Sequence, residues 1–157
     1  MEVQFRQATM DDLTAMAPLA LALVASQKLP FKVGGTKAVE GFCKSFLQNK
    51  DGVCFIAEGD LDGTRTIVGW IGALISDYLF SDEELCCIRA WDVHPRLRNG
   101  KIGGQLLAKA VEWAKSKGVS LVSVGVNKSS SDTPELAFSK LEHAGFIELE
   151  RFFVRRY

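Results

Sequence analysis

The sequence predicts a mixed α/β domain: a mostly antiparallel sheet of six or seven strands, flanked by four helices, with one parallel strand pair. Three observations carry this expectation. Apolar residues alternate between strand-type and helix-type spacing in the order β-α-α-β-β-β-α-β-α-β. The three consecutive strand segments in the middle are separated only by short polar turns, the connection that antiparallel neighbours use. The segments at residues 85–93 and 120–126 are instead joined through a helix, so those two should run parallel. No linker or repeat divides residues 1–157, and that length suffices for one domain with a substantial core.

Residues 3–6 alternate as a first strand. Thr9, Met10, Asp11 and Asp12 then form a capping-box-like start, with Asp12 in the usual Glu role. Leu13, Met16, Ala17, Ala20 and Val24 follow at helical spacing, and Pro18 should bend this helix or mark its effective start. Residues 26–35 are a breaker-rich loop. A second helix from Thr36 puts Val39, Phe42, Cys43 and Phe46 on one face and ends near residues 49–52. Strands are expected at 53–58, 66–76 and 85–93, with polar turns at 60–64 and around 81–84. Ile102, Leu106, Ala110, Val111 and Ala114 define a third helix, closed by Lys115, Lys117 and Gly118. A strand at 120–126 and a serine-rich loop lead to Thr133-Pro134, which cap and start a fourth helix ending at Gly145. Residues 146–157 should finish as one strand or a tight strand pair.

Lys+Arg and Asp+Glu are equal at 19 each, so no global field argues for nucleic acid. The most apolar stretch, residues 13–25, is too short to span a bilayer, and no signal segment opens the chain. Cys43, Cys54, Cys86 and Cys87 lack Cys-x-x-Cys spacing. Buried thiols in a reducing cytoplasm suit them better than a disulfide framework or a metal site.

The most informative stretch is 93–107. An apolar strand ends at Pro95, a basic glycine-bearing turn follows, and an amphipathic helix opens directly from it. A helix start presents unpaired backbone N–H groups at the positive end of its dipole, here beside Arg96, Arg98 and Lys101. Such a junction suits a phosphate-bearing ligand. Gly100, Gly103 and Gly104 would let an anion approach the main chain. A dinucleotide-binding turn would instead follow the first strand of a parallel sheet, with an acidic residue about 20 positions on.

The element order and this turn resemble the GNAT superfamily of N-acetyltransferases, over essentially the whole chain. The matching residues are the opening Phe5-Arg6-Gln7-Ala8-Thr9-Met10-Asp11-Asp12-Leu13, then Val93-His94-Pro95. They continue with Arg98-Asn99-Gly100-Lys101-Ile102-Gly103, the Leu106-Leu107 pair, and Ala137, Leu141 and Gly145-Phe146. The resemblance implies a GNAT-like sheet in which the fourth and fifth strands, at 85–93 and 120–126, pair in parallel, and acetyl-CoA as acyl donor. Arg98, Asn99, Gly100, Lys101, Ile102, Gly103 and Gly104 would cradle its pyrophosphate. The strand edge at Trp91, Asp92 and Val93 would bind its pantetheine arm, and the backbone N–H near Trp91 would serve the acyl oxygen as an oxyanion-type donor.

Three departures qualify this resemblance. Lys101 stands where the family has the first glycine of its pair. Leu141 stands where many relatives place a tyrosine that protonates the departing thiolate. Arg89 and Cys87 stand where many place a carboxylate base. Straight alternation would also put Asp92 on the opposite face from Arg89 and Cys87, as a core-facing or structural carboxylate. An amine with a pKa of ~10.4 is about 99.9% protonated at pH 7 and must lose a proton. Glu84, beside Glu83 in the turn entering the fourth strand, is the carboxylate expected to take it, through water.

The expected activity is transfer of an acetyl group to a primary amine of a small molecule or protein. Direct attack on the thioester gives no acyl-enzyme. Asp77, Asp82, Glu83 and Glu84 give the acceptor side, bounded by the 26–35 loop, the 80–85 turn and the C-terminal strands, negative character suited to a cationic acceptor. The third helix and terminal strands offer surfaces for a homodimer. The alternative is a non-catalytic acyl-CoA-binding or partner-binding module of degenerate GNAT fold.

Overall fold

In the computed structural model, residues 2–26, 34–78, 81–98, 100–126 and 134–149 are described, the side chains of Ser26 and Pro134 excepted. Strands β1 (Val3–Gln7), β2 (Gly52–Leu61), β3 (Thr64–Asp77), β4 (Glu84–Val93) and β5 (Leu121–Val124) form one sheet in sequence order. The first three pairings are antiparallel and β4–β5 is parallel. Helices α1 (Leu13–Ser26), α2 (Thr36–Leu47), α3 (Ile102–Ser116) and α4 (Pro134–His143) complete the expected α/β order.

The sheet has five strands among the described residues, where the sequence suggested six or seven. Residues 146–149 join no strand, and Ile147 and Leu149 are 78% and 76% exposed. Without burial on one face, their apolar alternation has nothing to fix it in a register. Residues 150–157, which carry the rest of that expectation, lie outside the described residues. Also outside them are residues 27–33, Asn99 and the serine-rich loop.

Both faces of the sheet are covered, so the central strand is apolar from Ile67 to Ile75 rather than alternating. On one face Met16 and Ala20 of α1 and Val39, Cys43 and Phe46 of α2 pack with Cys54, Ile56, Trp70 and Ala90. On the other, Ile102, Leu106, Ala110 and Ala114 of α3 and Leu141 of α4 pack with Val68, Ile71, Ile88 and Val93. Burying side chains the size of Met16, Phe46 or Leu106 contributes about 1.5–3 kcal/mol each. Gly72 makes the first packing possible, because a Cβ there would come within 2.9 Å of the Phe46 ring.

Helix α1 begins at Leu13, five residues before Pro18, and runs through it. The start is set by the short 3₁₀ turn Met10–Asp12, where Asp12 Oδ2 accepts the Thr9 N–H at 2.8 Å. Asp12 therefore fills the Glu role that its spacing suggested. Helix α3 ends as expected. Gly118, at φ +81, takes the left-handed turn that lets Val119 N–H reach the Ala114 carbonyl at 3.0 Å. Cys43, Cys54 and Cys86 are buried free thiols, and burial pushes the Cys86 thiol up to about 11. No helix among the described residues is long and apolar enough to cross a membrane.

Candidate functional site

The site lies where β4 ends and α3 begins, and one irregularity in β4 sets it up. Across from β3, the register steps from Gly72↔Ala90 to Ala73↔Ile88, leaving Arg89 without an opposite residue. This β-bulge switches the faces of the strand. Ile88 packs in the α3-side core, whereas Ala90 packs in the α1–α2 core. The expectation from straight alternation is thereby corrected: with one residue inserted at 89, Asp92 shares the α1–α2 side with Cys87 instead of opposing it.

Pairing with β5 stops one residue earlier, at Ile88↔Val124. From residue 89 to 93 that edge of β4 carries no strand among the described residues. His94 N–H bonds to the Val68 carbonyl at 2.8 Å. Alternation from that bond turns the N–H and C=O groups of Trp91 and Val93 away from β3, toward the free edge. These are two of the three residues whose main chain the family resemblance nominated; the same alternation turns the third, Asp92, toward β3.

The indole of Trp91 fastens this edge to the helix: its Nε1–H donates to the Gly103 carbonyl at 3.1 Å. A Cβ at Gly103 would lie 3.5 Å from that same nitrogen, so the first turn of α3 rests directly on the Trp91 ring. Gly104 faces open space. The first i→i−4 bond of the helix runs from Gln105 N–H to the Lys101 carbonyl at 3.0 Å. Lys101, at the N-cap, places no side-chain bond on the earlier amides. Among the described residues, the N–H groups of Ile102, Gly103 and Gly104 therefore form a cluster without a side-chain cap at the positive end of a 15-residue helix, beside the free edge of β4.

The basic residues do not share one role. Arg96 makes two bonds to Asp62, at 2.6 and 2.9 Å, across to the β2–β3 turn. Arg98 turns inward: Nη2 lies 3.1 Å from Asp92 Oδ1, and Nε donates to the Val93 carbonyl at 3.0 Å. Asp92 is buried, and its Oδ2 has no hydrogen-bond partner among the described residues. Burial pushes this carboxyl above its ordinary value, against the pull of the Arg98 charge and the Val93 N–H. Lys101 is exposed, and no ion pair holds it among the described residues.

The remaining nominated residues are more scattered. Val93 and Ile102 are buried in the α3-side core, and Gly100 is exposed on the turn. Asn99 is outside the described residues. Glu84 is exposed at the start of β4, opposite Asp77. It is seven residues from Trp91, about 23 Å at ~3.3 Å per residue, so the strand does not bring the two together. Leu141 is buried in the core. The Arg98–Asp92 and Arg96–Asp62 pairs were missed. The six-residue spacing of Arg98 from Asp92 gave some hint of the first, whereas nothing local signalled the second.

Comparison with known proteins adds to this geometry. The model of the acetyltransferase (GNAT) family matches residues 22–153. No curated protein matches the chain. Among solved structures, one neighbour is a Clostridium acetobutylicum protein described as a predicted acetyltransferase, with acetyl-CoA. It shows 15% identity and a TM-score of 0.77, over 99% of this chain and 96% of that one. The aminoglycoside acetyltransferase AAC(6')-Iy, in complex with a bisubstrate analogue of CoA and acetylneamine, shows 22% identity and a TM-score of 0.73 over 100% and 99%. An aminoglycoside acetyltransferase from an uncultured soil metagenomic sample, in complex with sisomicin, shows 18% and 0.68 over 99% and 96%. At these identities the likeness is one of fold.

Proposed function

Because this chain belongs to the GNAT acetyltransferase family, we propose that it transfers an acetyl group from acetyl-CoA to a primary amine by direct attack on the thioester. The observation that carries this is the junction of two main-chain surfaces, the β4 edge at Trp91, beyond the end of the β5 pairing, and the amides of residues 102–104, which the N-cap Lys101 side chain does not bond. The pyrophosphate sits on those amides, with Gly100 in the turn beside it and Lys101 supplying charge. The pantetheine arm runs along β4 from Val93 past Asp92 to Trp91. Arg98 acts from below, holding Val93 and Asp92 in place.

As the amine nitrogen bonds to the acyl carbon, the carbonyl oxygen becomes negative and takes the Trp91 N–H. The intermediate collapses with cleavage of the C–S bond, giving an amide and a CoA thiolate. A thiol with pKa ~8.5 is a tolerable leaving group without a general acid, which suits a site where Leu141 is buried. The amine must be neutral to attack. Given the length of strand between them, any help from Glu84 passes through solvent. The buried free thiols suit a reducing cytoplasm.

The test is a thermal shift with acetyl-CoA, followed by thiol release over a panel of amines. A concentration-dependent rise in Tm and amine-dependent release are expected. A rise in Tm without release for any amine would support the non-catalytic acyl-CoA-binding alternative. No rise would remove the cofactor site itself.

A further inference from the structure

We propose that Arg89 selects the acceptor by binding an oxyanion group, carboxylate or phosphate, carried by the same molecule as the amine. This rests on the reading that acetyl-CoA lies along the free edge of β4.

Three observations converge on Arg89. It is the residue inserted by the bulge, where β4 exchanges one core for the other. It is also the first residue of the free edge, because pairing with β5 ends at Ile88↔Val124. A cofactor with its phosphates at the mouth of α3 and its arm along Val93 and Trp91 directs its acyl end toward residue 89, where the acceptor must arrive. Finally, Arg89 is exposed and unpaired among the described residues. The other described arginines, Arg6, Arg65, Arg96 and Arg98, are each in an ion pair.

A guanidinium is permanently charged, and its planar fork matches a carboxylate or phosphate with two parallel bonds. Its charge also acts on the amine. A cation nearby disfavours the ammonium form and lowers the pKa of the nucleophile. Arg89 thus grips one end of the acceptor and favours the neutral, attacking form of the other, on a strand whose one exposed carboxylate, Glu84, is five residues away and whose nearer one, Asp92, is buried against Arg98. Asp77 and Glu84 face each other at that remote end of the β3–β4 pair. An acceptor carrying both signs of charge fits this layout better than a polycation does.

The experiment compares kcat/KM, at saturating acetyl-CoA, for amino acids against their carboxamides and for phosphoethanolamine against ethanolamine. At least one pair should favour its anionic member by about tenfold or more. Arg89→Ala should bring that ratio to about one, Arg89→Lys should keep part of it, and Arg89→Glu should reverse it. The Tm shift with acetyl-CoA, measured on every variant, reports that the cofactor half is intact. The inference is overturned if neither pair shows the preference, or if the preference survives Arg89→Ala, while acetyl-CoA still binds and reacts. If acetyl-CoA neither binds nor donates to any amine, the reading beneath it falls as well.

Discussion

Arg98 is tied to Asp92, Nη2 to Oδ1 at 3.1 Å, across the strand end that the proposed cofactor must follow. Its Nε meanwhile donates to the Val93 carbonyl at 3.0 Å, on the free edge itself. One side chain therefore compensates a buried carboxylate and fixes a main-chain group of the site. A phosphate would have to compete with both bonds to recruit it.

Arg98→Ala should accordingly act on folding as well as on binding. It strands a buried carboxylate, and the cost should be about 2–3 kcal/mol, below the ~3–5 of a fully enclosed pair because Arg98 is 29% exposed. The Asp92→Asn/Arg98→Ala double variant should lose less, having no charge left to strand. The pH dependence has a definite sign. The folded pKa of Asp92 is raised above its ordinary 3.8, so its ionised form costs stability that the protonated form does not. Without Arg98 the pKa rises further. The deficit of Arg98→Ala should be full at neutral pH and shrink as pH falls toward the unfolded value. Urea denaturation of the three proteins across that range measures it. A deficit independent of pH would mean that Asp92 is not the stranded group.

With Arg96 and Arg98 engaged by carboxylates, Lys101 is the charge at the mouth of α3 that needs no partner displaced. Lys101→Ala should weaken acetyl-CoA binding about five- to tenfold and flatten its salt dependence, leaving stability unchanged. Lys101→Gly tests the same charge while restoring the family's glycine. Calorimetric titration at two salt concentrations decides it, and unchanged or tighter binding by either variant would exclude a role for the ammonium.

Much of this architecture was legible from residue spacing. The 3.6-residue period set α2 and α3, the polar turns set the antiparallel strands, and Thr9 with Asp12 marked a helix start. The mouth of α3 and the edge at Trp91 and Val93 followed from the glycine turn and the family resemblance. What stayed hidden was non-local. The bulge at Arg89 has no glycine or proline to announce it, and it alone decides which face Asp92 occupies. Arg96 meets Asp62 from 34 residues away, so a run that reads as a free basic cluster is largely neutralised in space. A terminal strand or strand pair was expected over residues 146–157; of its described part, 146–149, no residue joins the sheet, and Ile147 and Leu149 are exposed, with no buried face to hold a register.

Gly72 offers a steric test of the α2–sheet packing. A Cβ there would sit 2.9 Å from two carbons of the Phe46 ring, and Phe46 is only 1% exposed, with little room to yield. Gly72→Ala should destabilise the fold by about 1–3 kcal/mol. Because the clash is with one ring, adding Phe46→Leu should cost clearly less than the sum of the two single changes. Denaturation midpoints of the four proteins in the cycle give the coupling. Strict additivity would mean that the contact does not limit the packing.

The Arg6–Asp12 pair joins β1 to the turn that starts α1, with bonds of 2.8 and 2.7 Å. Arg6 also reaches Glu58 on β2 at 2.7 Å, so three elements meet on one guanidinium. The side-chain bonds from Arg6 foremost, partly opposed by burial, lower the Asp12 carboxyl from 3.8 to about 2. A carboxylate with its folded pKa below its unfolded one adds stability at pH values above the unfolded pKa. That contribution is lost as pH falls from about 3.8 toward about 2. Arg6 is 36% exposed, so solvent screening holds the gain to about 1 kcal/mol. Asp12→Asn should therefore be less stable than the parent by about that amount at pH 7, and the gap should close by pH ~2. Paired denaturation curves at neutral and acid pH check this. A gap of the same size at both would assign the loss to the Thr9 cap, which Asp12 also serves, and not to the charge.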